Sequence, residues 1–297
     1  MNPETQAPEW AWYFVALYFF VGGTAAGAYL IGSMAELFCC ARFKELSRTA
    51  FYVALPFLLP TPFLLTFDLG RPERFWHLFF YTKEGVLYIN LQSPLSVGSW
   101  ALLVFGAFAL LSFLDNLVAE GKWKSAPFAN FYNHIPRKLY ALLGSAAAFF
   151  IAGYTGVLLN VTARPLWAAT SPLLGPLFIA SGVSTGAAAI AIVMAWERRA
   201  SGYLFRRLEL FDRMVMVIEL ILLAAALMIA GRYAMPLVSG LYGVIFWLGC
   251  VLLGILYPLW ISWKGRLGET APVVLPSFLA LLGGALLRIV IIQAGQI

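Results

Sequence analysis

The chain has 297 residues, 62% hydrophobic and 11% charged, with a mean hydropathy of +0.83, values that exclude an ordinary water-soluble domain. Eight bilayer crossings of about 20 to 22 residues use roughly 170 residues and leave short connections, so no aqueous catalytic domain fits. The net charge of +6 falls in short loops and reads as a topology signal, so no nucleic-acid partner is expected.

Met1 to Glu9 carries two glutamates and no lysine or arginine, the opposite of a cleavable signal, so the first apolar helix is expected to be retained. Hydropathy predicts spans at about 10–41, 49–67, 95–118, 137–160, 171–196, 212–231, 237–263 and 272–293, an all-α integral membrane protein. Pro56, Pro60 and Pro62 should kink or partly unwind the second. Fourteen of the 20 basic residues fall after the odd-numbered spans and five on the opposite side, with Arg288 inside the eighth span. Positive loops face inwards, so both termini and the loop of about 68–94 are expected outside a bacterial or archaeal cytoplasmic (inner) membrane.

A weak repeat runs through these spans. Gly22 to Ala28 aligns with Ser181 to Ala187 at an offset of 159, and Gly70-Arg71 aligns with Gly231-Arg232 at an offset of 161. Two similar offsets in the same order predict two tandem four-helix bundles in parallel orientation, residues 1–165 and 166–297. Close helix packing alone would also account for the glycines.

Scarcity limits the chemistry. His77 and His134 are the only histidines and both fall in loops, so no bis-histidine haem is expected. Cys39, Cys40 and Cys250 supply neither a cluster ligand set nor a disulfide framework, and no metal is expected in this chain. No lysine lies inside a span, which removes a retinal Schiff base. Electrons, if they come here, arrive from another polypeptide.

The outer loop opens Asp68-Leu69-Gly70-Arg71-Pro72-Glu73-Arg74-Phe75-Trp76-His77, with four charges at the end of a proline-broken helix. The other half carries Ile229 and Ala234 where this one carries Asp68 and Glu73, so the scaffold does not need those acids. Further on stand Ser93-Pro94-Leu95-Ser96-Val97-Gly98-Ser99-Trp100 and Tyr154-Thr155-Gly156-Val157-Leu158-Leu159, followed by Arg164-Pro165-Leu166-Trp167. Together these segments resemble the NrfD family, of which the PsrC-type membrane anchor of polysulfide reductase is the best-understood type.

The resemblance implies a haem-free subunit that binds menaquinone or ubiquinone within its first bundle. It also implies an iron–sulfur partner on the outer face, commonly joined to a molybdopterin catalytic subunit. A quinone pocket needs an apolar body and one or two donors for its oxygens. Tyr154, roughly 25 Å beyond the inner start of its span, is one candidate ligand and Tyr18 at similar depth is the second. Some family members carry histidine near Tyr18, so this sequence departs from the pattern there.

Arg71 and Arg164 belong to the motifs and are further binding candidates. Asp68 and His77 are candidates for proton transfer, against a structural Asp68–Arg71 ion pair and a capping role for His77. His134, Cys39 and Cys40 read as ordinary loop and packing residues. Glu36 and Glu219, in the inner halves of their spans, are proton-path candidates, against hydrogen bonding between helices. The competing functions are a secondary transporter, opposed by a densest polar group at one interface instead of the midplane, and a purely structural anchor.

Overall fold

The computed structural model describes residues 12–38, 41–83, 86–90, 92–123, 137–197, 202–264 and 271–297. His134, Cys39 and Cys40 lie outside them. Among the described residues eight helices are long and apolar enough to cross a membrane: Tyr13–Phe38, Lys44–Phe67, Pro94–Ala119, Arg137–Asn160, Leu174–Glu197, Gly202–Val238, Gly240–Lys264 and Val273–Ala294, here spans 1 to 8. In hydrocarbon every backbone amide must be satisfied inside the segment, and a helix does that locally. The protein is a multi-pass membrane protein.

Helix ends follow local chemistry. Span 3 starts with Pro94, whose missing N–H would have been unpaired there anyway. Span 2 carries Pro56 within its first segment, stops at Leu58 and restarts at Pro60, the expected break. Thr61 Oγ1 donates to the Leu58 carbonyl at 2.6 Å, at the break itself.

Span 6 departs from expectation by starting at Gly202, not near 212. Leu204, Phe205 and Leu208 are buried on one helical face while Arg206 and Arg207 stay exposed, so amphipathic packing carries the helix past its apolar run. A second departure from an all-helical reading lies between spans 2 and 3, where Tyr81–Lys83 pairs antiparallel with Val86–Tyr88 in a small hairpin outside the membrane helices.

Spans 1 to 4 pack among themselves, as do spans 5 to 8, and the halves meet where span 1 lies along span 5. This packing fits two four-helix bundles. The glycine pairs that mark the repeat face each other at the seam. A Cβ on Gly182 would stand 2.8 Å from the Gly23 carbonyl oxygen, and one on Gly186 would stand 2.6 Å from the Gly27 carbonyl carbon. Between them Thr24 Oγ1 donates to Thr185 Oγ1 at 3.0 Å. Only hydrogen at these positions lets the two backbones approach so closely.

Candidate functional site

Spans 1 to 4 leave a cavity of about 120 Å³ at the end of the molecule that bears Asp68. Phe14, Val15, Leu64, Leu95 and Leu158 line it with apolar surface, while Tyr18, Asp68, Ser99 and Tyr154 bring polar groups. Of the eight residues singled out from sequence, Tyr18, Asp68 and Tyr154 therefore share one chamber.

Tyr154 is held from two directions. Its hydroxyl donates to the Pro94 carbonyl at 2.6 Å, and its ring stacks on Phe150 at 5.8 Å between centroids. Gly98, one turn into span 3, faces the phenol so closely that any Cβ there would overlap it. The segment from Ser93 to Trp100 thus supplies the acceptor, the space, and through Trp100 an anchor for the preceding loop. Trp100 Nε1 donates to the Phe79 carbonyl at 3.3 Å, and the Phe79 and Phe80 rings meet its indole edge-on. Sequence reading identifies the segment without revealing the role of Gly98.

Asp68 caps the end of span 2 and is half-buried. Among the described residues it forms no ion pair with Arg71, which removes the structural pair considered above. Burial raises its carboxyl above the ordinary aspartate value. Among the described residues the carboxyl forms no ion pair, and it opens onto the apolar chamber.

The other candidates lie elsewhere. Arg71 and His77 are exposed on the loop and absent from the cavity lining, and His77 stacks on Trp76 at 3.7 Å. Arg164 Nη1 donates to the Gln296 carbonyl at 3.2 Å and ties the segment after span 4 to the end of span 8. Its motif neighbour Trp167 is 2% exposed and donates to the Ile291 carbonyl at 2.8 Å, inside the second half. The Arg164 to Trp167 segment therefore closes the other bundle and does not line this chamber.

At the opposite, basic end the first half carries a charged cluster. Arg137 Nε stands 2.8 Å from Asp115 Oδ2, Arg48 Nε stands 3.1 Å from Glu120 Oε1, and Lys122 also pairs with Glu120. Burial would raise the Glu120 carboxyl, but its bonds to Lys122 and the nearby Arg48 outweigh it and hold the group below its usual value. Glu36 belongs to this end, half-buried and accepting a hydrogen bond from Ser47 Oγ at 3.2 Å.

Glu219 sits in the second half, 4% exposed, near Ser181 and the fully buried Arg288. With Asp212 this forms a polar column inside the helices, so the sequence contrast with transporters, which rests on polar residues gathering at one interface, does not hold. Hydropathy alone puts Asp212 at the very start of a span. Its seven-residue spacing from Glu219, two helical turns, is the signal that places both on one face.

The comparisons with known proteins agree with this architecture over its whole length. The chain is 28% identical to the protein NrfD homolog of Haemophilus influenzae, over 98% of this sequence and 96% of that protein. It is 26% identical to a polysulfide reductase chain from Wolinella succinogenes, over 97% and 94% of the two sequences. With a selenate reductase subunit from Mesobacillus selenatarsenatis it shares 24% identity over 87% of this sequence and 67% of that one. The family model described as polysulphide reductase, NrfD, matches residues 2–297, and the protein belongs to that family.

Proposed function

We propose that this protein is the quinone-reactive membrane subunit of a respiratory oxidoreductase, not catalytic alone, exchanging electrons between the membrane quinone pool and an iron–sulfur partner. The names of two relatives, one a part of a polysulfide reductase and the other of a selenate reductase, support a place in a multi-subunit reductase. A molybdopterin catalytic subunit beyond the iron–sulfur protein completes the proposed assembly.

The observation that carries the reading is the chamber in which Tyr18, Asp68 and Tyr154 converge within apolar walls. Its composition suits a menaquinone or ubiquinone head group: aliphatic and aromatic contacts for the ring, phenols to donate towards ring oxygens, and a carboxyl to give or take a proton. The quinone supplies two-electron chemistry; this protein contributes position and protons. Tyr154 would reach the head group by exchanging its bond to Pro94 for one to a ring oxygen. In this reading the Asp68 face points out of the cytoplasmic membrane, towards the partner, and the protein itself carries no haem or metal.

Purification in mild detergent tests the proposal. The expected result is a complex containing a cluster-bearing partner, extractable quinone and quinone-dependent turnover. The buried column of the second half favours one other reading, a secondary transporter. A protein isolated without redox partners that drives solute uptake into liposomes would establish that reading instead.

A further inference from the structure

We propose that the basic end of the molecule carries a binding site for the phosphodiester headgroup of an anionic phospholipid, formed where Arg42 of the first half and Arg207 of the second meet over the ring of Tyr203. The site lies at the opposite end of the molecule from the quinone chamber and is independent of it.

Tyr203 stands in the first turn of span 6, and its ring joins the two halves. The Arg42 guanidinium, from the short link Ala41–Phe43 between spans 1 and 2, lies 5.1 Å from the ring centre. The Arg207 guanidinium lies 5.2 Å from the same centre, and its Nε donates to the Tyr203 hydroxyl at 3.2 Å. Phe43 meets the ring edge-on at 6.0 Å and packs against the core, so the platform is held from the first half as well. Two like charges that share one ring repel each other, and an exposed ring face returns little. An anion between them removes the repulsion, and each guanidinium can present two parallel N–H groups to phosphate oxygens.

The described arginines of this end fall into two groups. Arg48 and Arg137 pair with Glu120 and Asp115, and Arg213 donates to Ser262. Arg42, Arg206 and Arg207 are exposed and form no ion pair among the described residues. The first group braces the helices, whereas the charge of the second is turned outward.

Depth identifies the ligand as a lipid. The helix of span 6 runs from Gly202 to Ala230, where Gly231 and Arg232 follow. At 1.5 Å per residue Arg207 stands about 35 Å from Ala230, against a hydrocarbon core about 30 Å thick. With Ala230 at the outer edge of that core, Arg207 reaches about 5 Å past the inner edge, at the level of the headgroups. Trp196, Trp260 and Trp263, exposed at the same end of spans 5 and 7, belong to the aromatic belt of that interface. In the orientation proposed above this end faces the cytoplasmic leaflet, whose anionic lipids bind in basic pockets between helices. A headgroup bonded to both arginines ties the link after span 1 to the first turns of span 6, and so clamps the two halves from the basic side.

The test uses the full-length protein with its partners, stripped of lipid in detergent and titrated with phosphatidylglycerol. The thermal midpoint should rise saturably, because a ligand that binds only the folded state stabilises it by mass action. Phosphatidylcholine and inorganic phosphate at equal concentrations should leave it unchanged, and native mass spectrometry should show phosphatidylglycerol retained. Arg42→Gln and Arg207→Gln should each raise the lipid concentration for half the effect by about tenfold, the loss of one charged contact to phosphate. Arg207→Lys keeps the charge without the planar fork and should recover part of the affinity. Lys264→Gln removes one exposed charge at the same end, where Lys264 lies over Trp260, and should respond as wild type. Should one glutamine variant fail to assemble, the other decides by the same readings. An equal loss in Lys264→Gln would reduce the effect to general surface charge, and an equal rise with inorganic phosphate would make this a free-anion site; either overturns the proposal, as does the absence of any preference for phosphatidylglycerol. A soluble protein lost from the complex in both arginine variants, without any response to lipid, would assign the pair to a protein contact and overturn it too.

Discussion

Two cavities open at the same end of the molecule, one in each half. In the first, Val15 and Tyr18 of span 1 face inwards; in the second, Leu174 and Leu177 take the corresponding places, at the offset of 159 that marks the repeat. Leu65 in the first corresponds to Ala226 in the second at the other offset of 161. The first holds about 120 Å³ and three ionisable side chains; the second holds about 20 Å³ and none, with Trp167 among the residues that fill it. Two places that correspond by the repeat offsets thus differ in polarity, and the packing of the helices does not require the polar residues of the first chamber. The second half instead concentrates its ionisable groups in a column between helices.

The strongest way to break the contrast is to fill the first chamber as the second is filled. Gly98→Val places branched carbons where the Tyr154 phenol lies, and forcing volume into a packed site costs about 1–3 kcal/mol. The displaced phenol also loses its aim, so quinone-dependent activity should fall more than tenfold, by an amount exceeding the loss of stability. An assembled complex of normal activity would show that Tyr154 is not at the reacting position.

Tyr154→Phe is the milder version. It removes one donor and almost no volume, so it should cost about 1 to 3 kcal/mol of quinone binding or turnover. The Pro94 carbonyl loses its partner as well, so the thermal midpoint should be read alongside the activity.

Asp68→Asn addresses the proton. Because burial raises the Asp68 carboxyl, its protonated form persists above the ordinary aspartate range and is lost as pH rises through the raised value. Activity that requires a proton from Asp68 should decline along that limb, and Asp68→Asn should be slower and lack the decline, with the amount of assembled complex unchanged. A structural Asp68 would give the opposite pair of results, normal turnover per complex and little complex. If both this variant and Tyr154→Phe behave as wild type, the site moves to the Arg288 side of the seam.

Much of this is legible in the residues because the bilayer is a strict solvent. Twenty apolar residues in a row have one physical solution, so all eight spans are readable, and the prolines of span 2 have to break it where they do. Charge placed for partners instead of solvent is harder to read. Asp68 and Tyr154 stand out by motif, and they meet in the chamber. Arg71 and Arg164 stand out equally and do not, because a motif records that residues belong together without saying whether they bind or brace. Gly98 is invisible as a determinant, since its role is an absence of atoms opposite a side chain 56 residues away in sequence. Asp212 escapes notice because the first turns of span 6 are held by amphipathic packing, which a hydropathy window reads as loop.

The smallest expected effect lies at the seam where the halves touch. Thr24→Val removes the donor to Thr185 Oγ1 and leaves the shape of the contact almost unchanged. The Thr185 hydroxyl stays within bonding reach of the Ser181 and Gly182 carbonyls, at 3.0 and 3.1 Å, so no buried donor is stranded. Hydrogen bonds between membrane helices contribute about 0.6 kcal/mol on average, and the close glycine contacts on either side of Thr24 carry the rest of the association. Thr24→Val should therefore lower stability in detergent by that order and leave quinone-dependent turnover at the wild-type rate. The two readings separate the seam as a packing surface from the seam as a moving part. If turnover falls while stability barely changes, the halves shift against each other during each cycle, and the hydroxyl pair at the seam is a latch in that motion.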